Sequence, residues 1–431
     1  MYEVDEKVRL FMNNSLWEKA IQKCIDKGIH PYELSQYTSA EYRATLLNLI
    51  LSGEYHVAPP HIALIPKDNG EFRKVYVNTV LDRLVLTLIN EVYNAIYGRL
   101  IHERCVSYQK GIGVRNIVEN ISRECSSSEE GFKIDISKYF DSVPREVLNE
   151  VLHSVSTDSC LDQIIYDYYN DDLILDENKN LVRKYKSLCQ GCAPSAFFAN
   201  LTLRDIDQKI SCMVPVYYRY SDDILLLGEG SGEALAELVS MLEEKGLKVN
   251  PKKVEKICSE HWFTFLGCNI RGSKVSLSKK SLKNFMNEMT KRVNLRSKGN
   301  KNSLKASIRK INNYLYLDRM NNPATFGWAE YFFSIINCEE DIIQLDEWLK
   351  DLLRASYTGK QKIGGLGIIR TESDRVIERG KGRHVKKNLE KTEGLLEECG
   401  YISMHHLWKM FRLNRDIYRM EVYKNAGMGK F

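Results

Sequence analysis

The stretch that most constrains this chain is Tyr217-Tyr218-Arg219-Tyr220-Ser221-Asp222-Asp223-Ile224-Leu225-Leu226-Leu227-Gly228. Two adjacent carboxylates separate a tyrosine-rich run from a run of branched apolar residues. Each flank has the composition of a strand of about five residues, so Ser-Asp-Asp falls at the tight turn of a hairpin. Like charges this close repel strongly, and the pair is costly unless a cation screens it or water solvates the turn. A second run, Tyr169-Asn170-Asp171-Asp172-Leu173-Ile174-Leu175, has nearly the same texture. Only the surroundings separate the two.

A further carboxylate interrupts an apolar run in Gly131-Phe132-Lys133-Ile134-Asp135-Ile136-Ser137-Lys138-Tyr139-Phe140-Asp141-Ser142-Val143-Pro144. Asp135 sits between two isoleucines near the end of a short strand, where a buried carboxylate needs a partner or a metal. It lies too far ahead of Pro144 to cap the helix that this proline opens; Asp141 suits that role. Between the two stretches, Leu188-Cys189-Gln190-Gly191-Cys192-Ala193-Pro194-Ser195 is a small-residue loop feeding a helix from Ala196 to Ile210, and Gly191 permits close backbone approach. Its Cys-x-x-Cys has no second pair at zinc-site spacing, so it predicts no metal.

The rest of the chain is organised around these segments. Residues 1–52 are helical, with Val8, Leu10, Phe11, Trp17, Ile21 and Ile25 at helical spacing. A hairpin follows, turning at 66–70, with Arg73 and Lys74 on its second strand; either could hold a triphosphate or be solvated. A largely buried helix runs from Thr79 to Leu100. Residues 163–186 have the texture of a connecting hairpin. Residues 232–245 form an amphipathic helix, then a turn carrying Lys253 and a strand at 262–270.

With 431 residues the chain exceeds one core, so two or three domains are expected. Its net charge of +5 is unevenly spread, since residues 271–310 hold 13 Lys or Arg against the single acid Glu288. That stretch favours a polyanionic partner, with nucleic acid ahead of a membrane surface. Scattered cysteines, no signal-peptide pattern and no run near the roughly 20 apolar residues of a membrane span predict a cytoplasmic protein with reduced thiols.

The order of motifs resembles the palm of reverse transcriptases of the bacterial group II intron and retron lineage, over about residues 55–355. Asp135 with Phe140 looks like the first metal-binding motif, Gln190-Gly191-x-x-x-Ser195 with Ala199-Asn200-Leu201 like the loop and helix under the incoming nucleotide, and Tyr220-Ser221-Asp222-Asp223 like the Tyr-x-Asp-Asp box. Residues 246–253 and Phe265-Leu266-Gly267 resemble the two motifs that follow. The second Asp-Asp pair precedes the Gln-Gly loop and is in the wrong place.

The resemblance implies an α+β right-hand polymerase whose antiparallel palm sheet is backed by helices. Its parts would be an N-terminal helical extension (1–52), fingers (53–130), palm (131–270, with a fingers-like insertion near 150–188), a helical thumb (271–357) and a basic C-terminal extension (358–431). It implies an RNA-directed DNA polymerase working by two-metal nucleotidyl transfer. Two Mg2+ ions, or Mn2+ in their place, would be held by Asp135, the Ile136 backbone carbonyl, Asp222 and Asp223. Arg73, Lys74, Phe140, Gln190, Gly191 and Lys253 would meet the nucleotide, with Phe140 excluding a ribose 2′-hydroxyl or simply filling the core. Lys279, Lys280, Lys291, Arg292 and Arg296 would grip the duplex. The partners implied are an RNA template (a cognate non-coding RNA), dNTPs and the cDNA product, with no membrane and a homo-oligomer allowed. The subgroup resembled most is the stand-alone bacterial reverse transcriptases of phage defence. An intron maturase-like RNA binder and a template-independent polymerase stand as alternatives.

Overall fold

The computed structural model describes residues 5–67, 70–109, 111–125, 130–258, 260–295, 298–316, 327–359 and 392–425. The chain divides into two compact units, residues 1–111 with 131–256 and residues 112–130 with 257–431. Helices and mainly antiparallel sheets build both, the α+β class expected.

In the first unit, helices Glu6–Phe11, Asn14–Asp26, Pro31–Ser35 and Ala40–Leu51 begin at Asp5, Asn13, His30 and Ser39, whose side chains accept from first-turn amides. Phe11, Trp17, Ala20 and Cys24 are buried from this group, which packs on the helix Val80–Tyr97. Lys7 anchors it. Its ammonium, 1% exposed, donates to both Asp162 oxygens at 2.6 Å and to the Val155 carbonyl at 2.8 Å, beside the rings of Tyr93 and Tyr97.

The expected hairpin is present as β1 (His61–Pro66) and β2 (Phe72–Val77), paired from His61 opposite Val77 to Pro66 opposite Phe72. Residues 163–186 depart from expectation. Cys160–Asn170 is a helix, capped by Ser159 and burying Leu161, Ile164, Ile165, Tyr168 and Tyr169, a 3.6-residue stripe that its tyrosines disguise as strand. Only β4 (Leu173–Leu175) and β5 (Leu181–Arg183) form a hairpin, and β4 runs parallel to β1, so the four strands make one sheet.

The second sheet of this unit has the order β6 (Val216–Tyr220), β7 (Asp223–Leu227), β3 (Gly131–Asp135), β8 (Glu255–Ile257). As an inner strand, β7 buries Ile224 through Leu227 without alternation, which explains the unbroken apolar run. Helix Ser231–Glu244 packs on β3 and β7. The single helix expected over 196–210 is two, Ser195–Thr202 and Arg204–Ile210, broken at Leu203, where the Thr202 hydroxyl bonds back to the Phe198 carbonyl at 2.8 Å. Asp141 is no cap; it lies inside the turn Tyr139–Ser142, and Pro144 itself precedes helix Arg145–Ser154.

In the second unit, β9 (Phe263–Phe265), β10 (Cys268–Arg271) and β11 (Lys274–Leu277) form an antiparallel sheet. Helices Lys279–Arg292, Lys301–Tyr316, Trp328–Ile335 and Glu339–Thr358 share one core with Met404–Leu413 and Arg415–Asn425. Asp346 binds the Tyr401 and Ser403 hydroxyls, and Glu330 takes Arg415 and Arg419, so residues 392–425 close onto the preceding helices. Among the described residues no helix is long and apolar enough to cross a membrane.

Candidate active site

The register of β3 against β7 places Asp135 directly opposite Asp223. Asp222 occupies the two-residue turn between β6 and β7, and its carbonyl accepts from Ile136 N at 3.0 Å. Ser221 adopts φ +62°, a left-handed conformation uncommon for a residue with a side chain. The sequence therefore delivers three carboxylates to one end of one sheet. On either side of Ile136, Asn250 N donates to the Asp135 carbonyl and Ser137 N to the Lys248 carbonyl, and neither bond uses the Ile136 carbonyl.

Charge is unbalanced there. Burial, then the neighbouring Asp222, pushes the Asp223 carboxyl up to about 6. Burial and Asp135 also raise Asp222. Lys253, from the expected turn, puts its ammonium 2.6 Å from Asp135 Oδ2. Although burial opposes its charge, the bond to Asp135 and the other two carboxylates raise its pKa. Lys253, with Lys133 acting on Asp223 but itself paired with Glu255, does not balance three carboxylates, and the excess is one that a cation would relieve.

Among the described residues no group of three or more His, Cys, Asp or Glu side chains is arranged to hold a metal ion, so a cation at the carboxylates would need oxygens from water or substrate as well. The donor set suits a hard cation that keeps waters and takes one or two carboxylates plus phosphate oxygens, as magnesium does.

Beneath the turn lies a network that the sequence did not reveal. Arg219 is fully buried; its Nε donates to Asp207 Oδ1 at 2.6 Å and its Nη2 to Asp207 Oδ2 at 2.5 Å. Nη1 reaches the Ser221 carbonyl at 3.2 Å and Nη2 the Asn200 carbonyl at 3.0 Å, while the Tyr217 hydroxyl donates to Asp207. The one available signal was an arginine inside a strand of otherwise apolar and tyrosine residues, a position that needs a buried acid.

The Gln190-Gly191 loop runs beside β2, where Tyr76 N donates to the Gln190 carbonyl at 2.7 Å. Gly191 has φ +109°, and a Cβ there would lie 2.5 Å from Val75 Cγ1 and 2.7 Å from the Tyr76 carbonyl. No other residue fits. Half-buried Phe140 adjoins this loop, its carbonyl accepting from Leu188 N at 3.1 Å. Lys74 is half-buried, its pKa lowered by burial and by Lys184, whereas Arg73 is exposed. Phe140, Gln190, Gly191 and β2 thus share one neighbourhood. Burial pushes the Cys192 thiol up to about 11 and Cys189 higher still, so both are inert protonated thiols.

The competing pair has ordinary structural work. Asp171 accepts from Leu173 N at 3.0 Å, and Asp172 takes Arg145 at 2.7 and 2.9 Å.

Of the basic residues expected to grip nucleic acid, Lys279 and Lys280 are exposed at the start of their helix. Lys291 and Arg292 both pair with Glu288, and Arg292 lies 3.8 Å from the Tyr314 ring centroid, so that arginine is committed within the fold. Arg296 lies outside the described residues.

Residues 65–270 match the family described as reverse transcriptase (RNA-dependent DNA polymerase). A putative COX1/OXI3 intron 1 protein of Saccharomyces cerevisiae is 21% identical over 176 residues, 41% of this chain and 21% of the relative. Among solved structures, apo telomerase from Candida tropicalis superposes with a TM-score of 0.43 at 12% identity, over 86% of this chain and 62% of that one. Telomerase from Candida albicans in complex with a fragment of telomeric RNA gives 0.40 at 12% identity, over 85% and 69%. The chain spans about a fifth of the curated relative's length. Over residues 65–270, just under half of its length, the chain is similar to the reverse transcriptase domain.

Proposed function

We propose that the chain is an RNA-directed DNA polymerase whose active centre is Asp135, Asp222 and Asp223. The observation that carries this is the β3–β7 register, which sets Asp135 opposite Asp223 with Asp222 at the adjoining turn. Phosphoryl transfer needs in-line positioning and charge neutralisation more than covalent help. Divalent cations, magnesium or manganese, would be held by the three carboxylates with the Ile136 carbonyl and would supply that neutralisation at the attacking and leaving oxygens.

The chain's own residues do the rest. Lys253, protonated beside Asp135 at 2.6 Å, would give a proton to departing pyrophosphate. Gly191 lets the Gln190 loop close on β2, forming a floor under the incoming nucleotide, and Arg73 and Lys74 face its triphosphate. Phe140 occupies the place where a ribose 2′-hydroxyl would clash, which selects deoxynucleotides. Lys279 and Lys280 bind backbone phosphates of the template–primer duplex, held by shape and charge rather than sequence.

The resemblance to stand-alone bacterial enzymes supports a dedicated non-coding RNA as template, a cytoplasmic location and a role in antiviral defence. Sequencing RNA and DNA that co-purify with the protein tests this part: one recurrent RNA with its complementary DNA supports it, and a random mixture overturns it. The polymerase reading itself is tested by primer extension on RNA with dNTPs and Mg2+. Product complementary to the template is expected from the wild type and none from the Asp222→Asn, Asp223→Asn double variant. Extension by the double variant would overturn the assignment.

A further inference from the structure

We infer that the cavity walled by Lys186 and Asp171 is a binding site for a guanine base. The cavity has a volume of about 470 Å3 and lies between the segment 55–59 and the helix Cys160–Asn170. Sites for small molecules span roughly 300–1,000 Å3. None of the residues assigned to the polymerase centre lines it.

Lys186 carries the argument. It is 2% exposed and rests its ammonium against the Tyr168 ring, 4.6 Å from the centroid, yet that ammonium meets no hydrogen-bond acceptor among the described residues. Lys7, buried just as deeply, spends its donors on Asp162 and the Val155 carbonyl. Three N–H donors taken from water and given nothing in return are costly. Asp171 supplies the opposite wall. Its Oδ1 accepts from Leu173 N at 3.0 Å, and its Oδ2 meets no donor among the described residues. The two charges act on each other without forming an ion pair. A base without an acceptor and an acid with a spare oxygen, on the walls of one cavity, fit a ligand that accepts on one side and donates on the other.

Base chemistry narrows the ligand. Guanine O6 and N7 accept from an ammonium, while N1–H and the N2 amino group are adjacent donors matched to one carboxylate. Adenine would turn its amino group toward Lys186 in place of O6. Uracil flanks its single N–H with carbonyls, and cytosine offers the carboxylate one amino group only. His56, exposed where it lines the same cavity, supplies a ring of the kind on which unpaired bases stack. The site is also tied to the Gln190-Gly191 loop, since the Lys186 carbonyl accepts from Cys189 N at 3.1 Å.

Isothermal titration of the full chain in EDTA tests this, with GMP, AMP, CMP and UMP as probes and no divalent cation to recruit them to Asp135, Asp222 and Asp223. GMP is expected to bind about tenfold or more tighter than the other three, the scale on which a well-placed pair of contacts discriminates bases. Lys186→Met and Asp171→Asn are each expected to weaken GMP binding about tenfold or more without lowering the thermal midpoint, while Asp222→Asn leaves it unchanged. A single-stranded RNA pentamer with one central guanine among adenines, set against its all-adenine counterpart, separates the sources. A guanine-dependent affinity above that of GMP assigns the site to a base of RNA, and a lower one assigns it to the free nucleotide. Equal binding of the four nucleotides, binding of neither GMP nor the guanine pentamer, or GMP binding that survives Lys186→Met overturns the inference and leaves the polymerase reading intact. Failure of primer extension with GMP binding preserved contradicts the polymerase reading alone.

Discussion

Arg219 and Asp207 form an ion pair with neither side chain exposed, directly beneath the turn that carries Asp222. Burying two charges repays its cost only when the geometry is good and the remaining donors are used, and here Arg219 also serves the Ser221 and Asn200 carbonyls. Asp207→Ala would leave an arginine buried without its acid, for a loss of about 3–5 kcal/mol in urea unfolding. Arg219→Lys keeps the charge but cannot reproduce the fork. It is expected to lower the extension rate more than its smaller stability loss explains, because the Ser221 carbonyl loses its donor.

Gly191 bears a different kind of constraint. Gly191→Ala adds a Cβ within 2.7 Å of two groups of β2 at a φ of +109°. A loss of about 1–3 kcal/mol is expected from strain and overpacking, together with weaker dNTP binding in extension kinetics. Normal stability with unchanged KM would show that the loop does not depend on its approach to β2.

Lys186 offers a pH test remote from the carboxylates. It is 2% exposed, its ammonium lies 4.6 Å from the Tyr168 ring centroid, and burial lowers its pKa against a smaller opposing pull from the Asp171 carboxylate. The folded chain therefore releases this proton more readily than the unfolded chain. Between the two pKa values the unfolded state binds more protons, so stability from this site rises with pH. Lys186→Met is expected to stabilise the protein at neutral pH, with the gain shrinking as pH climbs toward the ordinary lysine value of about 10.4. Melting curves at neutral and alkaline pH check this; a gain that grows with pH would contradict it.

On the proposed reading, Phe140 selects the sugar. Phe140→Ala is expected to let ribonucleotides in, lowering the dNTP-to-NTP ratio of kcat/KM by about tenfold or more, a ratio governed by differential transition-state binding. Unchanged discrimination would reduce Phe140 to a core residue.

The parts of the fold legible in the sequence were those fixed by local pattern. The apolar run 224–227, Asp135 between isoleucines and the helix at 231–244 all follow from burial period and turn chemistry. Cys160–Asn170 was not legible, because its tyrosines favour strand and only packing of Tyr168 and Tyr169 into the core reveals the helical stripe. The break at Leu203 coincides with the Thr202 hydroxyl bonding back to the Phe198 carbonyl, a contact with no local sequence signature. Arg219 with Asp207, and Ser107 with Asn200, join residues 12 and 93 positions apart, and no local pattern announces such pairs. At the site, the carboxylates could be read from motif order, but their register, the commitment of Arg292 to Glu288 and the burial of Lys186 needed three dimensions.

The two Asp-Asp runs give the sharpest trial of the account. Single-turnover incorporation of one dNTP on an RNA template should be compared for the wild type, Asp222→Asn and the paired change Asp171→Asn, Asp172→Asn. The account predicts that Asp222→Asn slows incorporation by about a thousandfold or more, while the 171–172 change stays within severalfold of wild type. Near-normal incorporation by Asp222→Asn, or a comparable collapse at 171–172, would contradict the placement of the active centre at the β6–β7 turn.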